Sequence, residues 1–369
     1  MKILFMLLIS LTVVSSVNAQ QEIGFVIPAP TGVNPVGSIL WHWVDDERQE
    51  SFASQPNQRR EITVQAWYPA ANTNAAQSPY APYYQDWRNV KGVSQAEPMP
   101  TQGDELLPVI VMSPGRGMPS HFYTSIAEDL ASHGYFVAAI NSPYIGRVAY
   151  PNGQVIHTSD QFDIPFETLI GPYEEVDKFF AEATQLGADD IRFALSKLQA
   201  LNSNDPSARF TNRLDFTRLG AFGHSLGGRI IGEVVATDDR FLAYASMEGV
   251  PPRVARKAGL DAAVLMLLSS DLPDIAQPNI RDVIAERRND VYILTLQGYG
   301  HNSVTDLPLI NPEEATYDVN FGEGMNTIRT ILNLFYEEHL RSTRAALLRE
   351  ANLQRVQLEV FPNPGNGSL

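Results

Sequence analysis

Cysteine is absent from the 369 residues of this chain. Disulfide bonds, thiolate nucleophiles and cysteine–zinc sites are therefore excluded. The sequence also lacks an H-E-x-x-H motif, a P-loop and a G-x-G-x-x-G after the first strand pattern, so we predict no metal and no organic cofactor. Any chemistry must come from oxygen- and nitrogen-bearing side chains.

Positive charge is also scarce, since 27 Lys and Arg stand against 42 Asp and Glu, for a formal net charge of −15. An acidic surface is repelled by phosphate backbones, so we expect no nucleic-acid partner. This leaves neutral or apolar substrates, although a merely solvated acidic surface explains the same charge. The composition indicates no particular oligomeric state.

Long hydrophobic runs are missing beyond the N-terminus. Lys2 precedes an apolar stretch at residues 3–14, and Val-Asn-Ala at residues 17–19 places small residues at a cleavage site. This pattern predicts a signal peptide at 1–19 and a mature chain that begins near Gln20. The stretch is short for a membrane span, and an uncleaved anchor is the alternative. We expect a secreted or cell-surface protein that is not an integral membrane protein.

Apolar runs alternate with helical patterns along most of the chain. Strand patterns lie at residues 61–68, 107–112, 135–140, 218–222, 241–247, 263–269 and 291–296, and helical patterns at 121–133, 173–201 and 325–350. Continuous apolar runs are typical of parallel strands covered on both faces. We predict an α/β fold with a mostly parallel central sheet and helices on both faces. Residues 71–106 read as a loop-rich connection.

The residues 223–228, Gly-His-Ser-Leu-Gly-Gly, contain a G-x-S-x-G motif between a strand pattern and an amphipathic helix. Such a motif forms a sharp elbow that lifts the serine hydroxyl above the sheet. The motif predicts Ser225 as a nucleophile, with the Leu226 N–H at the helix start stabilising an oxyanion. A glycine-rich turn with an inert serine is the alternative.

A nucleophilic serine needs a base, and the chain has seven histidines. His301 follows the last strand pattern directly, which matches the chain order of serine, acid and histidine. We expect His224 to point away from the active face. The remaining histidines lie in loops, corners or a charged helix: His42, His121, His133, His157 and His339.

Two carboxylates compete for the role of triad acid. Glu248 follows the strand pattern at 241–247, and Asp271 follows the next one at 263–269. Either position brings a carboxylate to the edge of the sheet that carries Ser225, so the spacing leaves both open.

Three stretches resemble the platelet-activating factor acetylhydrolase family, including its bacterial esterase-like members. They are G-V-N-P-V-G at 32–37, D-L-A-S-H-G-Y-F-V-A-A at 129–139 and G-H-S-L-G-G at 223–228. The resemblance extends over residues 28–310. It implies the α/β-hydrolase fold, which we assign to residues 20–350.

The resemblance also implies residue roles. The family's acid stands in an Asp-Gly pair, and Glu248-Gly249 occupies that place, so Glu248 becomes the preferred acid and Asp271 the alternative. The family's second oxyanion donor lies in an H-G-x-G loop. Here the loop at 113–117 reads S-P-G-R-G, with Pro114 in place of the histidine, and the backbone N–H of Arg116 takes the donor's position.

Together these features predict a serine carboxylic ester hydrolase that acts through an acyl-enzyme. The resemblance implies short-acyl substrates, either small soluble esters or phospholipids with a shortened sn-2 chain. A polyesterase or cutinase-like activity on a polyester surface, a peptidase, and a catalytically inactive binding module are the alternatives. The segment 142–182 carries aromatics that either line an acyl pocket, cover it or belong to the core: Tyr144, Tyr150, Phe162, Phe166, Tyr173, Phe179 and Phe180.

The last nineteen residues, 351–369, differ in character from the catalytic domain. Residues 356–367 read V-Q-L-E-V-F-P-N-P-G-N-G and resemble the opening of a type IX secretion sorting domain, Y-P-N-P-x-x-G. The resemblance implies export from the cell. A tail rich in proline, glycine and asparagine without such a role is the alternative.

Overall fold

The computed structural model describes residues 25–53, 56–71, 74–84, 87, 90–103, 105–169, 171–270, 277–310, 321–341 and 347–366. Within these residues the strands are β1 (Val36–Gln49), β2 (Arg59–Pro69), β3 (Gln77–Pro79), β4 (Lys91–Ala96), β5 (Leu107–Ser113), β6 (Phe136–Asn141), β7 (Val148–Ala149), β8 (Val155–Ile156), β9 (Leu214–His224), β10 (Phe241–Met247), β11 (Ala263–Ser269), β12 (Val291–Leu296) and β13 (Val356–Phe361). The helices are α1 (Thr124–Ser132), α2 (Phe166–Leu169), α3 (Tyr173–Phe179), α4 (Ala181–Ser203), α5 (Leu226–Val235), α6 (Arg253–Ala258), α7 (Gln277–Ala285), α8 (Leu307–Ile310), α9 (Phe321–Tyr336) and α10 (Leu347–Glu350).

One large sheet has the strand order β13-β12-β11-β10-β9-β5-β6-β2-β1-β4-β3. The strands from β12 to β6 pair in parallel. Antiparallel partners flank them, with β13 on β12 and β2 on β6. Helices α4 and α5 cover one face, while α1 and α9 cover the other. The predicted fold class is confirmed.

The carboxyl ends of the parallel strands meet at one edge of the sheet. The last residue of β9, His224, is paired with Met247 of β10, which in turn is paired with Leu267 of β11. Residues that directly follow these strands therefore lie side by side. In open α/β sheets, ligands bind at this carboxyl edge.

The buried central strands agree best with the sequence. The patterns at 241–247, 263–269 and 291–296 coincide with β10, β11 and β12, because strands covered on both faces are apolar without interruption. The helical pattern at 325–350 is divided between α9, a π-helical turn at Glu337–Arg341 and α10. Within the predicted loop-rich connection at 71–106, two short strands, β3 and β4, pair at the edge of the sheet.

Part of the C-terminal tail belongs to the sheet. Strand β13 lies within the predicted tail 351–369, yet Val356 pairs with Leu296 and Phe361 with Val291. The alternating Val356, Leu358 and Val360 pack against the core on one face, which is the period-2 pattern of a half-buried strand. The sheet therefore extends past residue 350. The resemblance to a secretion domain stays a prediction.

A buried ion cluster joins the β1–β2 hairpin to helix α4. The Arg60 side chain, 1% exposed, donates from Nη1 to Glu50 Oε2 at 2.8 Å and from Nη2 to Asp190 Oδ2 at 2.6 Å. Arg48 adds a bond from Nη2 to Asp190 Oδ1 at 2.9 Å. Removal of one partner from such a cluster leaves a buried charge unpaired, which is strongly destabilising.

Two stretches that carry the family resemblance contact each other. Thr31 donates from its backbone N–H to Asp129 Oδ1 at 2.7 Å, and the Gly32 N–H donates to Ser132 Oγ at 2.9 Å. A Cβ on Gly32 would collide with the backbone of Ser132. These stretches therefore dock the N-terminal segment on α1 and have a structural role.

No helix in the described ranges is long and apolar enough to cross a membrane. The predicted signal peptide at 1–19 lies outside the residues that the structure describes.

Candidate active site

Ser225 lies at a strained elbow between β9 and α5. Its backbone has φ 53° and ψ −121°, a conformation that an L-residue adopts only when the surroundings enforce it. A Cβ at Gly223 would overlap the Gly227 carbonyl, and one at Gly227 would overlap the carbonyls of Ser113 and Pro114. The two glycines of the motif are thus required for the turn to close, and the turn places a half-buried Ser225 at the start of α5.

Glu248 directly follows β10 and its side chain is 3% exposed. Its Oε1 accepts a hydrogen bond from the Ser269 N–H, and its Oε2 accepts from Ser269 Oγ at 3.0 Å. Both donors come from the end of the neighbouring strand β11. Like Ser225, Glu248 has a positive φ, 53°, so its carboxylate is held by local backbone geometry and by two fixed donors.

His301 lies in the loop after β12, with its side chain about 50% exposed to solvent. Its Nδ1 is 3.6 Å from Glu248 Oε2. The structure therefore brings the predicted base and the preferred acid together. A carboxylate in this position holds the imidazole in orientation and stabilises its cation.

Hydrogen bonds join the chain segments that carry these three residues. The Ser225 N–H donates to Met247 O at 2.9 Å, which fixes Ser225 beside the residue that precedes Glu248. His224 Nε2 lies 2.8 Å from His301 O, which fixes the loop at 297–306, here called the histidine loop, beside the residue that precedes Ser225. Among the described residues no hydrogen bond joins the Ser225 hydroxyl to the His301 ring. That contact stays a prediction, and such bonds often tighten only when substrate binds.

The two predicted oxyanion donors are backbone N–H groups, one in the loop at 113–117 and one on the first residue of α5. The loop at 113–117 packs directly on Gly227, at the start of α5. Its neighbouring amides are occupied, since Gly115 N donates to Tyr123 Oη at 2.9 Å and Gly117 N to Ile145 O at 2.9 Å. Within the described residues, the backbone N–H groups of Arg116 and Leu226 make no hydrogen bond, as the predicted oxyanion role requires.

The segment 142–182 is tied to this region by three ion pairs, which its Asp163 and Asp177 form. The Arg116 guanidinium pairs with Asp163. Asp177 of α3 accepts hydrogen bonds from Arg229 of α5, and from Arg256 of α6 at 2.7 Å. We call the last two side chains the arginine pair; both are buried. Helix α3 is therefore held over the nucleophile helix by charge.

Several aromatics of this segment belong to the core. Tyr150 and Phe162 are 4% and 1% exposed, and the Tyr150 hydroxyl donates to Glu61 O at 3.1 Å. Tyr144 stacks on Phe52 with ring centroids 4.7 Å apart. These three side chains stabilise the fold around the site.

Asp306 anchors the far end of the histidine loop. Its N–H donates to Phe122 O at 2.6 Å, and its Oδ2 accepts from the Ser125 N–H at 3.1 Å and from the Tyr80 hydroxyl at 3.4 Å. The carboxyl is fully buried, and burial raises its pKa to about 7. The loop that carries His301 is thus fixed at both ends.

Ser269, which supplies both hydrogen bonds to Glu248, was not predicted from the sequence. The sequence signal was its position: Ser269 is the last residue of β11, the strand next to the one that precedes Glu248. The alternative acid, Asp271, lies outside the described residues. Within the described parts of the chain, no group of three or more histidine, aspartate or glutamate side chains is arranged to hold a metal ion.

Comparisons with known proteins agree with the fold. A family model described as platelet-activating factor acetylhydrolase, isoform II, matches residues 84–143, which include β5, the loop 113–117 and α1. This match is shorter than the resemblance at 28–310. A solved structure of a ferulic acid esterase from Streptomyces cinnamoneus is similar with a TM-score of 0.74 and 25% identity, over 90% of this chain and 98% of that one. The chain has the α/β-hydrolase fold, and its similarities are to esterase-like members of that class.

Proposed function

We propose that this protein is a serine carboxylic ester hydrolase with Ser225 as nucleophile, His301 as base and Glu248 as acid. One observation carries the proposal. His301 Nδ1 lies 3.6 Å from Glu248 Oε2, on segments hydrogen-bonded to the residues next to the Ser225 elbow.

The reaction follows from these positions. His301 takes the proton of Ser225 as its oxygen attacks the ester carbonyl, and the developing oxyanion accepts hydrogen bonds from the Leu226 and Arg116 N–H groups. The proton then passes from His301 to the leaving alcohol, and an acyl-enzyme remains. Water, deprotonated by His301, attacks the acyl group, and the acid leaves as the serine is restored. Every step uses side chains or amides of this chain.

Short-acyl esters are the proposed substrate class, and they include phospholipids with a shortened sn-2 chain. The match to the acetylhydrolase model supports this choice. Feruloyl esters are the second candidate, because the similar ferulic acid esterase spans 90% of this chain. A polyester surface is a further candidate, since the half-exposed His301 side chain leaves the site open to solvent.

Turnover of a matched substrate series tests the proposal. Wild type and Ser225→Ala are compared on p-nitrophenyl esters of increasing acyl length, methyl ferulate, a short-acyl phospholipid, a polyester film and a peptide amide. We expect ester turnover by the wild type, highest with short acyl groups and lost in the variant. An absence of ester turnover, or equal turnover by the variant, would favour the inactive binding module. Faster cleavage of the amide would favour a peptidase.

Export is a separate proposal, supported by the apolar stretch at 3–14 and the small residues at 17–19. N-terminal sequencing of protein recovered outside the cell is expected to begin at Gln20. A full-length protein retained in the membrane fraction would instead support the uncleaved anchor.

A further inference from the structure

His224, the residue before the nucleophile, has both ring nitrogens engaged in the buried interior. The residue is 0% exposed. Its Nε2 lies 2.8 Å from His301 O, and its Nδ1 lies 2.8 Å from Tyr123 Oη. The imidazole therefore contacts the loop of the catalytic base on one side and a buried tyrosine on the other.

The partners determine which nitrogen carries the proton. A carbonyl oxygen only accepts, so the bond to His301 requires a hydrogen on Nε2 of His224. Nδ1 then has a lone pair and accepts the hydroxyl proton of Tyr123. Burial lowers the pKa of His224, which keeps the ring neutral in this single tautomer.

Tyr123 extends this chain of hydrogen bonds to the loop at 113–117, which we call the oxyanion loop. Its oxygen accepts from the Gly115 N–H at 2.9 Å, and its own proton is directed to His224. The Sδ atom of Met118 lies 3.2 Å from the same oxygen, but a thioether is a much weaker acceptor than an imidazole nitrogen. The directed series is thus Gly115 N–H to Tyr123, Tyr123 O–H to His224, and His224 Nε2–H to His301.

The space for this series depends on a glycine. A Cβ at residue 115 would lie 2.9 Å from Nδ1 of His224 and 3.3 Å from Oη of Tyr123. The rings of His224 and His301 also touch, with centroids 4.7 Å apart. The oxyanion loop, the residue next to the nucleophile and the base are therefore in direct contact through one buried side chain.

We propose that His224, oriented by Tyr123, is a positioning residue that sets the distance of the His301 imidazole from Ser225 and from the oxyanion loop. The inference rests on the proposed ester hydrolysis. His224 takes no part in the proton transfers and acts by holding the carbonyl of His301 on a fixed donor. A misplacement of about 1 Å in such a site lowers the rate about 100-fold.

Two substitutions at residue 224 separate the two hydrogen bonds. Glutamine places an amide N–H about where Nε2 of histidine lies, so His224→Gln keeps the bond to His301 and loses that to Tyr123. Asparagine places its amide oxygen about where Nδ1 lies, so His224→Asn keeps the tyrosine and loses His301. Both variants are comparably polar, and each is the control for the other.

We expect kcat for p-nitrophenyl butyrate to fall less than about 10-fold in His224→Gln and about 100-fold in His224→Asn, with KM within about threefold of wild type in both. Rescue of kcat by glutamine alone is a result that general loss of packing does not give. Equal kcat values in the two variants, high or low, would overturn the proposal.

A measurement on the wild type reports the tautomer of the native His224 ring directly. In protein labelled with ¹⁵N-histidine, the ring resonances missing from His224→Gln belong to His224. We expect them to show a neutral ring protonated on Nε2 across neutral pH. A ring protonated on Nδ1 would overturn the proposal. Failure of the proposed hydrolase function appears separately, as absence of ester turnover by the wild type, and leaves this tautomer measurement valid.

Discussion

Replacement of Glu248 by glutamine exchanges one carboxylate oxygen, an acceptor, for an amide N–H₂ group, a donor. The Ser269 N–H is a fixed donor to Oε1, so the amide oxygen of glutamine must take that place. The amide N–H₂ then occupies the place of Oε2, facing Nδ1 of His301. A donor at this position stabilises the tautomer with a proton on Nε2, and that tautomer cannot accept the Ser225 proton.

The magnitude follows from the distance. A carboxylate and an imidazolium 3.6 Å apart interact by about 5 kcal/mol at an effective dielectric constant of about 20. Solvent screens part of this attraction, because the His301 side chain is about 50% exposed. We therefore expect the carboxylate to stabilise the transition state by about 4 kcal/mol. This corresponds to a loss of about 10³ in kcat. KM is expected to change less than about threefold, because neither group binds the substrate directly.

The assay is steady-state hydrolysis of p-nitrophenyl butyrate, with thermal unfolding as a check on the fold. Asp271→Asn is the matched control, and we expect its kcat to stay within about threefold of wild type. Ser269→Ala removes one of the two donors to Glu248 and is expected to cost about tenfold. A Glu248→Gln enzyme within tenfold of wild type, together with a large loss in Asp271→Asn, would refute the assignment of the acid.

Three further predictions concern the structure around the site. Asp190→Ala is expected to lower the free energy of unfolding in urea by about 3–5 kcal/mol, because it leaves the arginines of the buried ion cluster without a partner. The control is Asp189→Ala on the same helix. The Asp189 side chain is 38% exposed, so its loss is expected to cost less than about 1 kcal/mol. Asp177→Asn weakens the contact of α3 with the arginine pair, so amide hydrogen exchange in α3 is expected to rise at least about tenfold, while the exposed Glu175→Gln leaves it unchanged. Between about pH 4 and about pH 7, Asp306 is ionised in the unfolded chain but still protonated in the folded one, so the folded state loses stability as pH rises. The measured quantity is the unfolding free energy of the wild type minus that of Asp306→Asn. This difference is expected to fall by up to about 4 kcal/mol across the range.

Each of these predictions has a contrary result. Equal unfolding free energies for the Asp190 and Asp189 variants would mean that the ion cluster adds nothing to stability. Unchanged exchange in α3 after Asp177→Asn would show that packing, and not charge, holds the helix. A difference between wild type and Asp306→Asn that does not vary with pH would show that Asp306 is ionised throughout.

Local constraints in the sequence account for the prediction of two of the candidate site residues. Ser225 was found because a strand-to-helix elbow needs glycine on both sides, a requirement visible within five residues. His301 was found because it directly follows a buried strand late in the chain. Glu248 needed the family resemblance, because two neighbouring strands end at the same edge and spacing alone does not show which carboxylate turns toward the histidine.

The missed residues act through contacts between distant parts of the chain. Ser269 is 21 residues from Glu248, Tyr123 is 101 residues from His224, and His224 is 77 residues from His301. His224 was expected to point away from the active face, and nothing in the local pattern indicated that its ring would hold the loop of the base. Strand register and burial, which the sequence does not display, decide these contacts.

The same limit applies to the edges of the sheet. Strands β10 to β12 were located to the residue because they are apolar throughout. Strand β1 was not predicted, since much of it is only half-buried and its second half carries charges. Strand β13 was hidden in a tail whose composition suggested a separate segment.

Covalent labelling tests the central claim most directly. Wild type and Ser225→Ala are treated with a fluorophosphonate, and the modified peptide is identified by mass spectrometry. We predict a single phosphonyl group on Ser225 of the wild type and none on the variant. An unlabelled wild type, or a label that persists in Ser225→Ala, would contradict the assignment of Ser225 as the nucleophile.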